Sequence, residues 1–114
     1  KNALDHGAYV DISGVDGVTG LMHASRRGHT EIAKLLIDNK ANINLCTPNG
    51  ETSLMYASTY GRTNTVKLLI ENNADVNRGT SIGRTALDVA KNTDITKLIQ
   101  LQINIEKDQR YKLQ

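Results

Sequence analysis

Three stretches of the chain share one pattern. Residues 17–28 read GVTGLMHASRRG, residues 50–61 read GETSLMYASTYG and residues 83–93 read GRTALDVAKNT. Their opening glycines are 33 residues apart, and the Thr, Leu and Ala positions that follow keep the same step. These shared positions are Thr19, Thr52 and Thr85, then Leu21, Leu54 and Leu87, then Ala24, Ala57 and Ala90. A period of roughly 20 to 50 residues indicates a stacked repeat architecture.

Each repeat predicts a pair of helices. Thr19 precedes a short segment with apolar positions three and four apart, where a hydroxyl accepts hydrogen bonds from free amides at a helix start. The first helix is expected over residues 20–27, and Gly28 ends it in a left-handed conformation. A second helix is expected from Thr30, with Ile32, Leu35 and Leu36 as its apolar stripe. The second unit repeats this second helix over residues 63–69.

The segments between the helix pairs predict tight reversals. Asp16-Gly17 and Asn49-Gly50 accept positive φ angles, and Pro48 adds stiffness. Hairpin-like fingers are therefore expected there. Helices this short are marginal alone, so neighbouring units must cover each other's apolar faces. The sequence contains no Phe or Trp, which predicts an aliphatic core in an all-α stack.

The repeated pattern Gly-x-Thr-x-Leu-x-x-Ala, followed by a Leu-Leu pair and Ala-x-(Val/Ile)-Asn, resembles the ankyrin repeat family. The resemblance implies an α-solenoid of stacked antiparallel helix pairs with β-turn fingers, a fold used overwhelmingly to bind other proteins. It divides the chain into a repeat domain, 1–105, and a polar C-terminal tail, 106–114. Within the domain we expect the end of an earlier repeat at 1–11, full repeats at 12–44 and 45–77, and a shortened capping repeat at 78–105.

The chain departs from the family pattern at the start of the first helices. The family often carries Thr-Pro-Leu-His there, whereas this chain has Thr-Gly-Leu-Met, Thr-Ser-Leu-Met and Thr-Ala-Leu-Asp. The family's Thr-to-His hydrogen bond is therefore missing, although Asp88 can accept one from Thr85. In the last unit about three residues are absent between the helices, and Asn92 and Thr93 replace the usual glycine turn. After Leu101 the polar sequence either extends the last helix or trails as a tail.

Composition excludes several classes of protein. With 39% hydrophobic and 23% charged residues, the chain is too apolar for global disorder and too polar for a membrane span. A net charge of +2 disfavours a general nucleic-acid binder. Cys46 is the single cysteine and the N-terminus lacks a secretory signal, so we expect an intracellular setting, with delivery into a host cell left open. The chain does not begin with Met, and we interpret it as a fragment.

No motif in the sequence supports catalysis. His6, His23 and His29 lie in different units without ligand spacing, so no metal is expected, and no cofactor or small-molecule substrate is implied. Cys46 has no base beside it in sequence. The glycines punctuate turns and form no phosphate loop. Asp75-Val76-Asn77, with Leu69 upstream, resembles the sequence context of asparagine hydroxylation in some ankyrin repeats. A hydrogen bond from Asn77 to the inter-repeat turn explains the residue without an enzyme and is the preferred interpretation.

The resemblance places partner contacts on the finger tips and on the exposed side of each first helix. The corresponding residues are Val15, Asp16, Val18, Arg26 and Arg27 in the first full unit, Pro48, Asn49, Glu51, Tyr56, Thr59 and Tyr60 in the second, and Ser81, Ile82, Arg84 and Asn92 in the third. Tyr and Arg often dominate interface energy. We expect a monomeric, non-enzymatic module that binds a protein partner. One alternative is a structural spacer or targeting segment of a larger protein, such as a microbial effector, whose activity lies outside this chain. Another is electrostatic nucleic-acid binding through arginines.

Overall fold

The computed structural model describes residues 10–112, so most of the expected earlier repeat at 1–11 lies outside the described residues, as do 113 and 114. From Gly20 onward, helices follow in three pairs. The first pair is α1 (Gly20–Arg27) and α2 (Thr30–Asp38), the second is α3 (Ser53–Thr59) and α4 (Thr63–Glu71), and the third is α5 (Ala86–Val89) and α6 (Thr93–Lys112). The bounds of α1 agree with the sequence prediction.

Threonine hydroxyl groups start the first helix of each pair, as predicted. The Oγ1 atoms of Thr19 and Thr52 each accept a hydrogen bond at 3.3 Å, from the backbone N–H of Met22 and Met55 respectively. Thr85 caps α5 in the same way, and its own N–H donates to Asp88 Oδ2 at 2.9 Å. The Thr85 hydroxyl also donates to that carboxylate, at 3.2 Å, as the sequence suggested. Each unit therefore satisfies its first free amides locally.

The helices form two rows whose shared core is aliphatic. The first helices α1, α3 and α5 pack side by side, α2 and α6 each pack against α4, and each first helix packs on its own partner. The largest fully buried apolar side chains are Leu21, Met22, Leu54, Leu69, Ile95, Ile99, Val66 and Val76. Small side chains at shared positions, including Ala24 and Ala57, are also buried and let neighbouring helices approach closely.

Three reversals project from the rows, and we call them finger 1 (13–19), finger 2 (46–52) and finger 3 (79–85). A single antiparallel bridge closes finger 1 between Ser13 and Thr19, and another closes finger 2 between Cys46 and Thr52. In finger 3 the N–H of Thr80 donates to the carbonyl of Arg84 at 2.8 Å. The hairpin-like fingers expected from the sequence are therefore present.

The apolar stripe predicted for α2 is only partly buried. Ala33 is fully buried and Leu36 is half-buried, but Ile32 and Leu35 are 51% and 52% exposed. Thr65, one repeat period after Ile32, is fully buried, and its hydroxyl lies 2.8 Å from that of Thr30 in the preceding unit. Ile32 and Leu35 therefore lie on the face where the described stack has no preceding second helix.

Helix α6 continues well beyond the third unit. It runs through Lys112, so the expected boundary between residues 105 and 106 falls inside one helix, and the chain after Leu101 extends the helix up to that point. Ile103 packs against the core. Glu106 accepts a hydrogen bond at 3.2 Å from the amide nitrogen of Asn77, at the end of the second unit. The extension thus contacts the loop after α4.

Candidate functional site

A groove of about 490 Å³ lies between fingers 2 and 3 and the helices α3 and α5. We call it the groove throughout. It is lined by Asn49, Glu51, Met55, Tyr56, Thr59, Tyr60, Thr80, Ser81, Ile82, Arg84 and Val89. Its volume lies within the range of roughly 300 to 1,000 Å³ seen for ligand pockets in proteins.

Most of the accessible surface of the groove is apolar. Tyr60, at the end of α3, is 50% exposed, and Ile82, in finger 3, is 75% exposed. Met55 is buried and Val89 is half-buried, so they belong to the packed part of the lining. Large exposed apolar side chains that share one concave surface are a common feature of interaction sites.

A short hydrogen-bond network orders the finger 2 side of the groove. Tyr56 donates its hydroxyl to Glu51 Oε1 at 3.3 Å, and the Thr47 hydroxyl donates to the same oxygen at 3.4 Å. Burial is the main cause that raises the pKa of Tyr56 above 10.0, followed by the charge of Glu51 and its hydrogen bond. The positive charge of Arg26 opposes this rise. Tyr56 is therefore a neutral, oriented hydroxyl at neutral pH.

The repeat pattern matches a known family model over most of the chain. The family model for ankyrin repeats, in three copies, matches residues 1–80 and again residues 21–110. The chain belongs to the ankyrin repeat family. Ankyrin repeats are generally protein–protein interaction modules, and the family is typically non-enzymatic. Among curated proteins, none matches the sequence.

The groove contains eight of the fifteen predicted contact residues. They are Asn49, Glu51, Tyr56, Thr59, Tyr60, Ser81, Ile82 and Arg84. They come together because α3, α5 and the two fingers stack in one row. The predicted positions of the first full unit lie on the neighbouring finger and helix: Val15 is fully exposed at its tip, and Asp16 Oδ1 accepts from the N–H of Val18 at 3.1 Å. Arg26 and Arg27 end α1.

Two predicted contact residues have structural roles outside the lining. Pro48 packs beside the backbone of Gly17, where an added Cβ would lie 2.8 Å from its Cδ. Asn92 caps α6, because its Oδ1 accepts from the N–H of Ile95 at 2.9 Å. The deletion in the third repeat explains this placement: the residue one period after Thr59 lies at a helix start instead of on the exposed side of a first helix.

Sequence reasoning missed three residues of the groove. Met55 belongs to the repeat pattern without being a predicted contact position, and Thr80 precedes the predicted contact residues of finger 3. Val89 follows Tyr56 by one period of 33 residues, so the repeat spacing alone was enough to place it beside the other contact positions. The short α5, which ends at this residue, brings Val89 to the groove.

The remaining candidate chemistry is sparse in the part of the chain that the structure describes. Cys46 is exposed, with a free thiol. Over residues 10–112, no three or more His, Cys, Asp or Glu side chains are grouped so that they could hold a metal ion. Among the described helices, none is both long and apolar enough to cross a bilayer.

Proposed function

We propose that this ankyrin repeat chain binds a protein partner through the groove. The exposure of Tyr60 and Ile82 on one concave surface carries the proposal. Both side chains present large apolar area to solvent, and their removal from water on binding is favourable. Tyrosine is also among the residue types that contribute most to interface energy.

Preorganisation supports the same function. The groove is built by two helices and by fingers that are tied together, since the N–H of Ser81 in finger 3 donates to the carbonyl of Asn49 in finger 2 at 2.9 Å. A surface already ordered before binding loses little conformational entropy when a partner arrives. The exposed residues Val15 and Arg27 of the first full unit extend the proposed contact surface along the stack.

The test compares proteins retained from a cell lysate by three immobilised forms of the chain. These are the wild type, a Tyr60→Ala, Ile82→Ala double variant, and a Leu101→Ala control. Leu101 is 58% exposed but lies on α6, outside the groove lining, so its replacement removes exposed apolar area away from the groove. Thermal unfolding by circular dichroism verifies that all three forms remain folded.

A protein retained by the wild type and the Leu101→Ala control, but lost by the double variant, supports recognition through the groove. Equal retention by all three forms contradicts it. In the second case the partner is bound elsewhere on the chain.

A second function, structural support for a neighbouring segment, is favoured by Ile32 and Leu35. These half-exposed side chains occupy the face that, in the second unit, packs against the helix before it. Under this alternative, Ile32→Thr weakens association with that neighbouring segment, whereas changes at Tyr60 and Ile82 leave it intact.

A further inference from the structure

The charged side chains around the groove differ in whether they have hydrogen-bond partners within the protein. The carboxylate of Glu51 accepts hydrogen bonds from the hydroxyl groups of Tyr56 and Thr47. The carboxylate of Asp16 accepts from the N–H of Val18 within finger 1. Both acids on this face therefore have donors of their own.

The arginines on the same face lack such partners. Within residues 10–112, no acceptor lies within hydrogen-bond or ion-pair distance of the guanidinium groups of Arg26 and Arg84. Arg84 lines the groove and is exposed, beside the apolar side chains of Ile82 and Tyr60. A guanidinium presents five N–H donors in a planar fork that matches a carboxylate, so an exposed one beside an apolar surface is a ready acid-binding group.

We propose that the groove receives an acidic peptide segment of the partner, with a carboxylate paired to Arg84 and an adjacent apolar side chain held between Tyr60 and Ile82. The proposal rests on the proposed function and names the chemistry of its ligand. Arg26 lies near enough to Tyr56 to act on it electrostatically and supplies a second positive charge on the finger 1 side. A segment with acids at more than one position gains from both arginines.

A nucleic acid fits the same face less well. Its backbone carries a phosphate at every nucleotide, and the carboxylates of Glu51 in the groove and Asp16 on the neighbouring finger 1 oppose a continuous line of phosphates on this face. The whole chain has a net charge of only +2, which gives little general attraction for polyanions. An isolated carboxylate next to an apolar side chain matches a groove that combines the guanidinium of Arg84 with the apolar side chains of Tyr60 and Ile82.

The experiment pans a phage-displayed library of random peptides on the immobilised chain and measures the affinity of enriched peptides by fluorescence anisotropy. Four forms of the protein are compared: wild type, Arg84→Glu, the matched control Arg110→Glu, and the Tyr60→Ala, Ile82→Ala double variant. Arg110 is an exposed arginine of α6 outside the groove lining, so its replacement makes the same change in net charge. Circular dichroism verifies folding of each form.

The expected result is enrichment of peptides with Asp or Glu beside an aromatic or aliphatic residue. Arg84→Glu lowers their affinity about tenfold or more, as expected for loss of a hydrogen bond between charged groups, and Arg110→Glu leaves it unchanged. In a second outcome, the enriched peptides lose affinity for the Tyr60→Ala, Ile82→Ala variant while carrying no excess of Asp or Glu, or while keeping their affinity for Arg84→Glu. Either result contradicts an acidic ligand and leaves the proposed function intact. Enrichment independent of all groove residues overturns both.

A random single-stranded oligonucleotide serves as a competitor in the same assay. If it displaces the enriched peptides and binds the wild type more tightly than they do, with loss of binding in Arg84→Glu, the acidic peptide is the wrong ligand class. Failure of the oligonucleotide to compete supports the peptide.

Discussion

At Gly28 the backbone has a φ of +74°, and the side chain of Arg62 from the next unit lies directly over it. A Cβ at this position would lie 2.8 Å from Arg62 Cδ. Arg62 has little freedom to withdraw without loss, since its Nε donates to the carbonyl of Arg26 at 2.9 Å. We therefore expect Gly28→Ala to lower the free energy of unfolding by more than the roughly 1 kcal/mol cost of a left-handed alanine, measured by urea denaturation.

Gly83→Ala is the matched control for that substitution. Gly83 has a φ of +80°, but an added Cβ would meet nothing within 4 Å. It therefore isolates the backbone cost from the collision with Arg62. Equal destabilisation by the two substitutions would show that Arg62 moves away freely and contributes nothing to the junction between units.

Tyr56 makes the stability of the folded protein fall at high pH. Its pKa lies above 10.0 mainly through burial, so the folded protein favours the neutral phenol more than the unfolded chain does. Its stabilising contribution is complete below pH 10.0 and is lost as pH rises through the higher folded pKa. Titration of the Tyr56 ¹³Cζ resonance is expected to show a midpoint above 10.0. In Glu51→Gln the midpoint is expected to fall but to stay above 10.0, because burial is the main cause of the rise. A wild-type midpoint at or below the ordinary value contradicts the burial argument.

At the scale of an element, the extension of α6 is part of the fold. Ile103 is half-buried and packs against the core, whereas Ile105, two residues further along, is 41% exposed. We expect Ile103→Ala to lower the free energy of unfolding by about 1 to 2 kcal/mol and Ile105→Ala by less than about 0.5 kcal/mol, in urea denaturation. Equal small effects would mean that the helix beyond the third unit stands free of the stack.

The helix starts were predictable because their causes are local. A threonine hydroxyl and the amide three residues later decide where α1, α3 and α5 begin, and both belong to one short segment. The exposure of Ile32 was not predictable in this way. It depends on whether another helix lies across that face of α2, which no pattern within the α2 segment contains.

The groove was predictable as far as the repeat register held. Tyr60 and Ile82 follow from their positions in the second and third repeats, and the structure brings them to one surface. The register fails at Asn92, where the deletion turns an expected contact position into a helix cap. The pairing state of Arg84 could not be predicted, because it depends on side chains that approach from other elements.

Across the whole molecule, order should be highest in the middle of the stack. The second unit, α3 and α4, packs against described helices on both sides, whereas α5 is short and ends the row of first helices. In hydrogen–deuterium exchange followed by mass spectrometry, we expect the amides of α3 and α4 to exchange slowest and those of α5 fastest. One common rate for all units would contradict nearest-neighbour stabilisation and indicate a single cooperative block.

The junction between the second and third units also determines how the stack responds to a pulling force. Backbone hydrogen bonds cross it from Ser81 to Asn49 and from Lys91 to Ser58, each at 2.9 Å. Side-chain hydrogen bonds from Asn92 to Thr63 and from Asn77 to Glu106 also cross it. A pulling force on the ends of the 46 Å long stack is borne by such junctions in series. Because each unit contacts only its neighbours, we expect tension to detach one unit at a time, so that the stack lengthens in steps.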